Sequence, residues 1–94
     1  MLYDGGQRAI TRLEEEARRV FDVEYVIPVA RASTALLLGL KALGMRDGDE
    51  VILQSMMCRS LPQAIVQAGC RPVFADVDDS CNIDVAKIEA CITP

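Results

Sequence analysis

Two short segments carry the residue types of this chain that could do chemistry, and each lies between an apolar run and a following helix. In the first, Ala30 to Thr34, small residues and hydroxyl groups open a helix that is apolar almost all round. The exposed backbone N–H groups of such a turn, with the positive end of the helix dipole, can hold a phosphate. A helix cap formed by Ser33 or Thr34 explains the same residues. The sequence therefore predicts either an anion site or a simple cap here.

The second segment, Gln54 to Ser60, places two methionines, a cysteine and an arginine directly after a predicted strand. This composition is typical of a loop that faces a ligand. Packing of the Met and Cys side chains in the core, with Arg59 in solvent, is the commoner role for each residue taken alone. The chain contains no histidine that could activate Cys58 as a nucleophile, so we predict no catalytic residue in this segment.

Composition argues against several classes of function. The 94 residues carry a formal net charge of −4 and no basic run, which disfavours binding to nucleic acid or to an anionic membrane. No dinucleotide-binding or P-loop glycine motif is present. The four cysteines lack the paired spacing of zinc ligands, and the aspartates between 76 and 84 lack the spacing of a calcium loop, so we predict no metal site. Without a secretory signal, the cysteines are expected to be mostly buried residues of a cytoplasmic protein.

Helices and strands alternate along the sequence, and this order determines where the two segments would lie. Helices are predicted over Gln7–Phe21 and Ala35–Leu43, after a capping box at Ser60–Gln63 and after a cap at Asp84, and strands over Tyr25–Ala30, Glu50–Gln54 and Pro72–Val77. Pro28 assigns the first strand to a sheet edge. The apolar helix is expected to be buried on most sides and to end at Gly44. The pattern predicts a parallel α/β sheet, in which ligands bind beyond the carboxyl ends of the strands.

A series of short motifs follows in order over residues 9–94. They are Leu13-Glu14 with Ala17, Arg31 to Leu36, Leu40 to Gly44, Gly48 to Ile52, Ala68-Gly69, Pro72 to Asp78, Asn82 to Asp84 and Ile92 to Pro94. Each motif is weak by itself, but the complete series in this spacing resembles the N-terminal part of the DegT/StrS sugar aminotransferases. These are enzymes of the aspartate aminotransferase fold (fold type I) that depend on pyridoxal 5'-phosphate (PLP).

The resemblance implies a fold and a cofactor site. Residues 1–94 would form the N-terminal, incomplete part of the large domain, which is a partial three-layer α/β/α parallel sheet. The backbone N–H groups of Ala32 and Ser33, with the Ser33 hydroxyl, would hold the PLP phosphate. Cys58 would take the place of an aromatic ring that stacks on the pyridine. The sequence departs from the family pattern at Arg31, Gln54 and Met57, where Ser, Pro and Thr are usual.

The activity that the resemblance implies is transfer of an amino group from an amino-acid donor to a keto-sugar nucleotide in polysaccharide biosynthesis, by a cytoplasmic homodimer. In the family, the lysine that carries the cofactor and the acidic residue that holds its pyridine nitrogen lie beyond the last residue of this sequence. Lys41 and Lys87 match neither, so we expect this chain alone to be inactive. Two alternatives stay open: a small non-catalytic α/β module that binds a phosphate ligand, and an interaction module that pairs with a larger relative.

Overall fold

The computed structural model describes residues 5–94, which divide into two compact units, one up to residue 30 and the other from residue 31 onward. The first unit contains helix α1, Gly5–Phe21. This confirms the helix that the spacing of the apolar residues predicts. The helix ends because Asp22 adopts a left-handed φ of 51°, a conformation that Asp tolerates better than most residues.

The prediction of a strand over Tyr25–Ala30 is wrong, because this segment has no β-ladder partner within residues 5–94. A strand is defined by backbone hydrogen bonds to a neighbour, and Pro28 has no N–H to donate. The large side chains of the segment lie mostly in solvent, with Tyr25 77% and Ile27 82% exposed. The sequence shows the apolar character of the segment but does not provide a neighbour for it.

Helix α2, Ala32–Ala42, begins three residues earlier than the sequence predicts. Its N-cap residue is Arg31, whose side chain makes no capping hydrogen bond. The prediction of a cap by Ser33 or Thr34 is therefore wrong, since both lie inside the first helical turn. An arginine has no acceptor atom with which to bond the backbone N–H groups of that turn, so α2 begins without side-chain capping.

The end of α2 is as predicted, but its burial is not. Gly44 adopts a left-handed φ of 73°, which confirms it as the residue that stops the helix. Leu40 is the buried residue of α2, whereas Leu38 is 49% exposed. The prediction that the helix is buried on most sides is wrong, because the elements of residues 31–94 cover one face of it.

The second unit contains a two-stranded parallel sheet. Strands β1, Glu50–Gln54, and β2, Arg71–Ala75, pair in parallel, and helix α3, Ser60–Gln67, connects them. The predicted α/β order is confirmed here, and β1 has the predicted bounds. β2 ends two residues before its predicted end, and Val77 instead forms an isolated antiparallel bridge with Ile83.

A small core joins α2, α3 and the sheet. It consists of Leu40 from α2, Leu53 from β1, Ile65 from α3 and Cys70 just before β2. Ile65 is 1% exposed and lies at the centre of these contacts. α2 and α3 both contribute to this core and also pack against each other.

The prediction of a capping box at Ser60–Gln63 is wrong. Arg59 is the N-cap residue of α3 and makes no side-chain capping bond, while Ser60 is the first helical residue. The Ser60 hydroxyl lies 3.2 Å from the Cys58 Sγ and is engaged with that thiol rather than with a backbone N–H of its own helix. The predicted capping residue, Ser60, therefore lies one residue after the true N-cap, Arg59.

The predicted cap at Asp84 is confirmed. Its Oδ1 accepts a hydrogen bond of 3.0 Å from the Ala86 N–H at the start of helix α4, Val85–Ile88. A short 3-10 turn, Glu89–Cys91, follows. Among the helices found in residues 5–94, none has both the length and the apolar character needed to cross a bilayer.

Candidate functional site

The first turn of α2 presents backbone N–H groups that no carbonyl of the described residues accepts. The first helical hydrogen bond runs from the Ala35 N–H to the Arg31 carbonyl at 3.1 Å, and the N–H groups of Ala32, Ser33 and Thr34 precede it. Together with the dipole of α2, these groups give this end of the helix a partial positive charge. The backbone groups that the sequence assigns to a phosphate are therefore open to an anion.

A cleft of about 260 Å³ lies between α2 and α3. Arg31, Ser33 and Thr34 line it from α2, and Ser60 and Gln63 line it from α3. Among the described residues that line this cleft none is acidic, although the chain contains 14 acidic residues. Hydroxyl, amide and guanidinium groups without a carboxylate make a surface that favours an anion.

On the α3 side of the cleft, Ser60 ends the second candidate segment, but Gln63 and Gln67 were not predicted to face a ligand. Ser60, Gln63 and Gln67 all line the cleft. Their spacing places them on one face of a helix whose other residues are mostly apolar. This polar stripe is the signal that could have indicated the cleft, but the same pattern is typical of a solvated helix face.

Cys58 lies in the loop between β1 and α3 and is exposed. Its thiol does not line the cleft, but the hydroxyl 3.2 Å from it belongs to Ser60, which does. The hydrogen bonds that the Ser60 side chain and backbone form with it lower the pKa of the Cys58 thiol. Of the other two residues expected at a cofactor, Ser33 lines the cleft, whereas Ala32 contributes its backbone N–H beside it.

Two hydrogen bonds hold the loop that contains Cys58. The Gln54 side chain donates from Nε2 to the Met56 carbonyl at 2.7 Å. The Ser55 N–H donates to the Ala75 carbonyl at 2.8 Å, which extends the parallel ladder by one residue beyond β1. These bonds fix the start of the loop at the carboxyl edge of the sheet, where parallel sheets bind their ligands.

Most of the cysteines are not core residues. Cys70 is buried, but Cys58 and Cys81 are exposed and all four thiols are unpaired, so the prediction of mostly buried cysteines is wrong. Within residues 5–94 no group of three or more His, Cys, Asp or Glu side chains is placed to hold a metal ion. Asp78 acts as a turn residue, as predicted: its Oδ1 accepts from the Ser80 N–H at 2.8 Å, and the bonds from Ser80 lower its pKa.

A larger cleft, of about 520 Å³, lies at the amino ends of the two strands. Glu50 and Arg71, the first residues of β1 and β2, form an ion pair there, and the Thr93 hydroxyl donates to Glu50 Oε2 at 2.5 Å. Size alone would favour this cleft as the site. Its position does not, because ligands of parallel sheets bind at the opposite edge.

The two lysines of the chain lie away from the smaller cleft. Lys41 is in the last turn of α2, nine residues after Ala32 and therefore roughly 14 Å further along the helix axis. Lys87 lies in α4. Neither residue lines the cleft between α2 and α3.

The sequence matches an established family over almost its whole length. Residues 3–94 match the model of the DegT/DnrJ/EryC1/StrS aminotransferase family, and the chain belongs to this family. It is 37% identical over 86 residues to the spore coat polysaccharide biosynthesis protein SpsC of Bacillus subtilis (strain 168), an alignment that covers 90% of this chain and 22% of SpsC. It is 39% identical over 83 residues to the UDP-N-acetyl-3-dehydro-alpha-D-glucosamine 3-aminotransferase of Acidithiobacillus ferrooxidans, covering 87% of this chain and 22% of that enzyme.

Solved structures contain the same fold. The structure of NtdA from Bacillus subtilis, with bound cofactor PMP, superposes with a TM-score of 0.85 at 31% sequence identity, covering 90% of this chain and 20% of NtdA. The predicted family and the predicted α/β fold class are therefore confirmed. The chain spans about a fifth of the length of each of these relatives.

Proposed function

We propose that this chain is the segment of a PLP-dependent sugar aminotransferase that binds the phosphate of the cofactor. The observation that supports the proposal best is the uncapped first turn of α2, whose N–H groups lie beside a cleft that no acidic residue lines. Membership of the aminotransferase family and the PMP bound in NtdA make PLP the phosphate ligand to expect.

The residues present fit a phosphate group. The N–H groups of Ala32 and Ser33 point out of the first turn of α2, where a helix dipole favours a negative charge. Ser33, a half-buried residue that lines the cleft, adds a hydroxyl donor to the same side. These three groups would hold the phosphate and so fix the position of the ring attached to it.

Cys58 would contact the face of the pyridine ring from the loop after β1. A sulfur atom offers polarizable contact with an aromatic ring, but less area than another ring would and no stacking of π systems. The hydrogen bond to Ser60 orients the thiol and joins it to the residues of the cleft. The contribution of Cys58 is therefore to position the ring and not to react with it.

PLP, when bound, supplies the electron sink that amino-group transfer requires. The residues of this chain would bind its phosphate and orient its ring. Lys41 and Lys87, the two lysines, lie outside the cleft. We therefore propose that these 94 residues hold the cofactor but do not catalyse amino-group transfer. Catalysis would need the further segments that the longer relatives contain.

The proposed substrate is a keto-sugar nucleotide, with an amino acid as the amino donor. The 3-aminotransferase from Acidithiobacillus ferrooxidans is named for a UDP-linked 3-dehydro sugar, and SpsC is named for spore coat polysaccharide biosynthesis. We also propose a homodimer, on the resemblance to the family, and a cytoplasmic location. Four unpaired cysteines, two of them exposed, suit a reducing compartment.

The phosphate site is tested by titrating the isotope-labelled chain with PLP and with pyridoxal, which lacks the phosphate. We expect PLP to shift the backbone amide resonances of Ala32 and Ser33 and pyridoxal to leave them unchanged. Ser33→Glu places a carboxylate where the phosphate would lie and should weaken PLP binding roughly tenfold or more. Because an acidic residue near a helix N-terminus is favourable, this variant should keep its fold.

Gln7→Glu is the matched control, since it makes the same charge change at an exposed position in the first turns of α1. PLP should bind this variant as it binds the unchanged chain. Equal binding of PLP and pyridoxal, or equal PLP affinity of Ser33→Glu and Gln7→Glu, would contradict the proposed phosphate site.

A phosphate-binding module without catalysis is a second candidate, and the absence of Lys41 and Lys87 from the lining of the cleft favours it. The two candidates differ in what the polypeptide expressed from the native gene does with glutamate and a UDP-linked keto sugar. Formation of 2-oxoglutarate and the amino sugar supports the aminotransferase. PLP binding with no such products supports the module.

A further inference from the structure

The N-cap position of α2 holds a residue that is unfavourable for the helix. Arg31 adopts the extended backbone of an N-cap, with φ −146° and ψ 148°, but a guanidinium has no acceptor for the N–H groups of the first turn. Its positive charge also lies at the positive end of the helix dipole, where cations are destabilising. Within residues 5–94 the Arg31 side chain has no ion-pair or hydrogen-bond partner to offset this.

The same residue faces the cleft. Arg31 lines it together with Ser33 and Thr34, and none of the described lining residues is a carboxylate that could pair with it. A bound anion at the first turn of α2 would therefore meet the open N–H groups and the guanidinium together. Such an anion would accept hydrogen bonds from the N–H groups that Arg31 cannot cap, and it would pair with the positive charge of the guanidinium.

We propose that Arg31 is a ligand of the cofactor phosphate, in addition to the N–H groups of Ala32 and Ser33. The inference rests on the proposed function, since the phosphate in question is that of PLP. Its physical consequence concerns Cys58, which lies where the family usually has a stacking ring. A charge-assisted contact from Arg31 to the phosphate compensates for the stacking contact that the Cys58 thiol does not provide. The phosphate therefore contributes a larger share of the binding free energy of PLP, and the ring a smaller one.

The test compares the affinities of four variants for PLP, inorganic phosphate and pyridoxal by isothermal titration calorimetry. Arg31→Gln removes the charge, Arg31→Lys keeps it, and Arg31→Asn introduces a capping side chain. Arg46→Gln is the matched control, because Arg46 is exposed in the turn after α2. This substitution changes the net charge by the same amount as Arg31→Gln.

We expect Arg31→Gln to bind PLP and inorganic phosphate about fivefold more weakly, and Arg31→Lys to recover part of this loss. Arg46→Gln should bind as the unchanged chain does. Arg31→Asn should also bind more weakly, yet its thermal unfolding midpoint without ligand should rise by about 4 °C. If Arg31 had only a structural role, its substitution by Asn would not lower the affinity for phosphate while it raises the stability of the fold.

The outcomes separate this inference from the proposed function. Preference of the unchanged chain for PLP over pyridoxal, reduced about fivefold in Arg31→Gln and also reduced in Arg31→Asn but kept in Arg46→Gln, supports both. The same preference with unchanged affinity in the Arg31 variants overturns the role of Arg31 and leaves the phosphate site at Ala32 and Ser33. Equal affinity of the unchanged chain for PLP and pyridoxal overturns both.

Discussion

Cys58 and Ser60 illustrate how one hydrogen bond alters the chemistry of a side chain in this site. Their Sγ and Oγ atoms are 3.2 Å apart, and Cys58 is exposed. Hydrogen bonding from the Ser60 side chain and backbone stabilises the thiolate and lowers the pKa of Cys58. The chain contains no histidine that could act as a base toward this thiol, so Ser60 is the residue to test.

Ser60→Ala should therefore raise the pKa of Cys58 toward its ordinary value. The pH at which Cys58 reaches half of its maximal rate of alkylation by iodoacetamide should move upward, and the rate at pH 7 should fall. Peptide mass spectrometry follows Cys58 and Cys81 in the same sample, and Cys81, which is also exposed, serves as the internal control. An unchanged pH profile for Cys58 would show that Ser60 does not affect its thiolate.

The side chains of the candidate site differ in how far the sequence reveals them. Ala32 and Ser33 follow from a small-residue turn at the start of an apolar helix, and Cys58 follows from the loop after a strand. Gln63 does not, because a glutamine on a short helix looks the same whether it faces solvent or a cleft. The cleft exists only once α2 packs against α3 around the Ile65 side chain of α3, and this packing is a property of the tertiary structure.

The helices and strands of residues 31–94 depend on short turns with strict backbone requirements. Gly69 joins α3 to β2 with a left-handed φ of 86°, and its carbonyl accepts from the Gly48 N–H at 2.9 Å. A Cβ at Gly69 would collide with the Asp47 side chain. The turn therefore joins the segment before β1 to the segment before β2 through a residue without a side chain.

Gly69→Ala should destabilise the chain by about 1–2 kcal/mol, from the left-handed backbone and the collision with Asp47. Urea denaturation measures the change. Gly39→Ala is the control, since Gly39 lies inside α2 with open space at its Cβ position and should gain about 0.5–1 kcal/mol. Adding Asp47→Ala to Gly69→Ala should recover the part of the loss that the collision causes; no recovery would assign the whole loss to the backbone.

Element prediction from the sequence succeeded where local signals were sufficient. β1 has the predicted bounds, α1 ends at the predicted residue and begins two residues earlier, and the Asp84 cap forms as predicted, because apolar periodicity and capping are local properties. The strand over Tyr25–Ala30 failed because a ladder needs a partner that no local pattern contains. The caps expected at Ser33 and Ser60 failed for a different reason: an arginine occupies each N-cap position, so the preferred capping residues came too late by one or two positions.

The molecule as a whole buries little of its apolar surface. Its core consists of a few side chains around Ile65, while Ile27 is 82% and Leu43 79% exposed. Exposed apolar side chains that form a contiguous patch usually face another protein surface or the remainder of a domain, whereas single exposed residues are common. The relatives contain this segment within chains more than four times as long, and in them further residues are available to cover such positions.

The chain in isolation should therefore bind the dye ANS and self-associate, and Ile27→Lys with Leu43→Lys should reduce both. Each substitution replaces an exposed side chain, so the free energy of unfolding should change by no more than about 0.5 kcal/mol per site. Sedimentation velocity and ANS fluorescence measure the effect.

Gln7→Lys with Asp79→Asn is the control, because it brings the net charge of −4 equally close to zero at positions that are already polar. A lower net charge alone promotes association, so the control should associate at least as much as the unchanged chain. Equal association of the two double variants would show that charge, and not the exposed apolar surface, governs the behaviour of the chain.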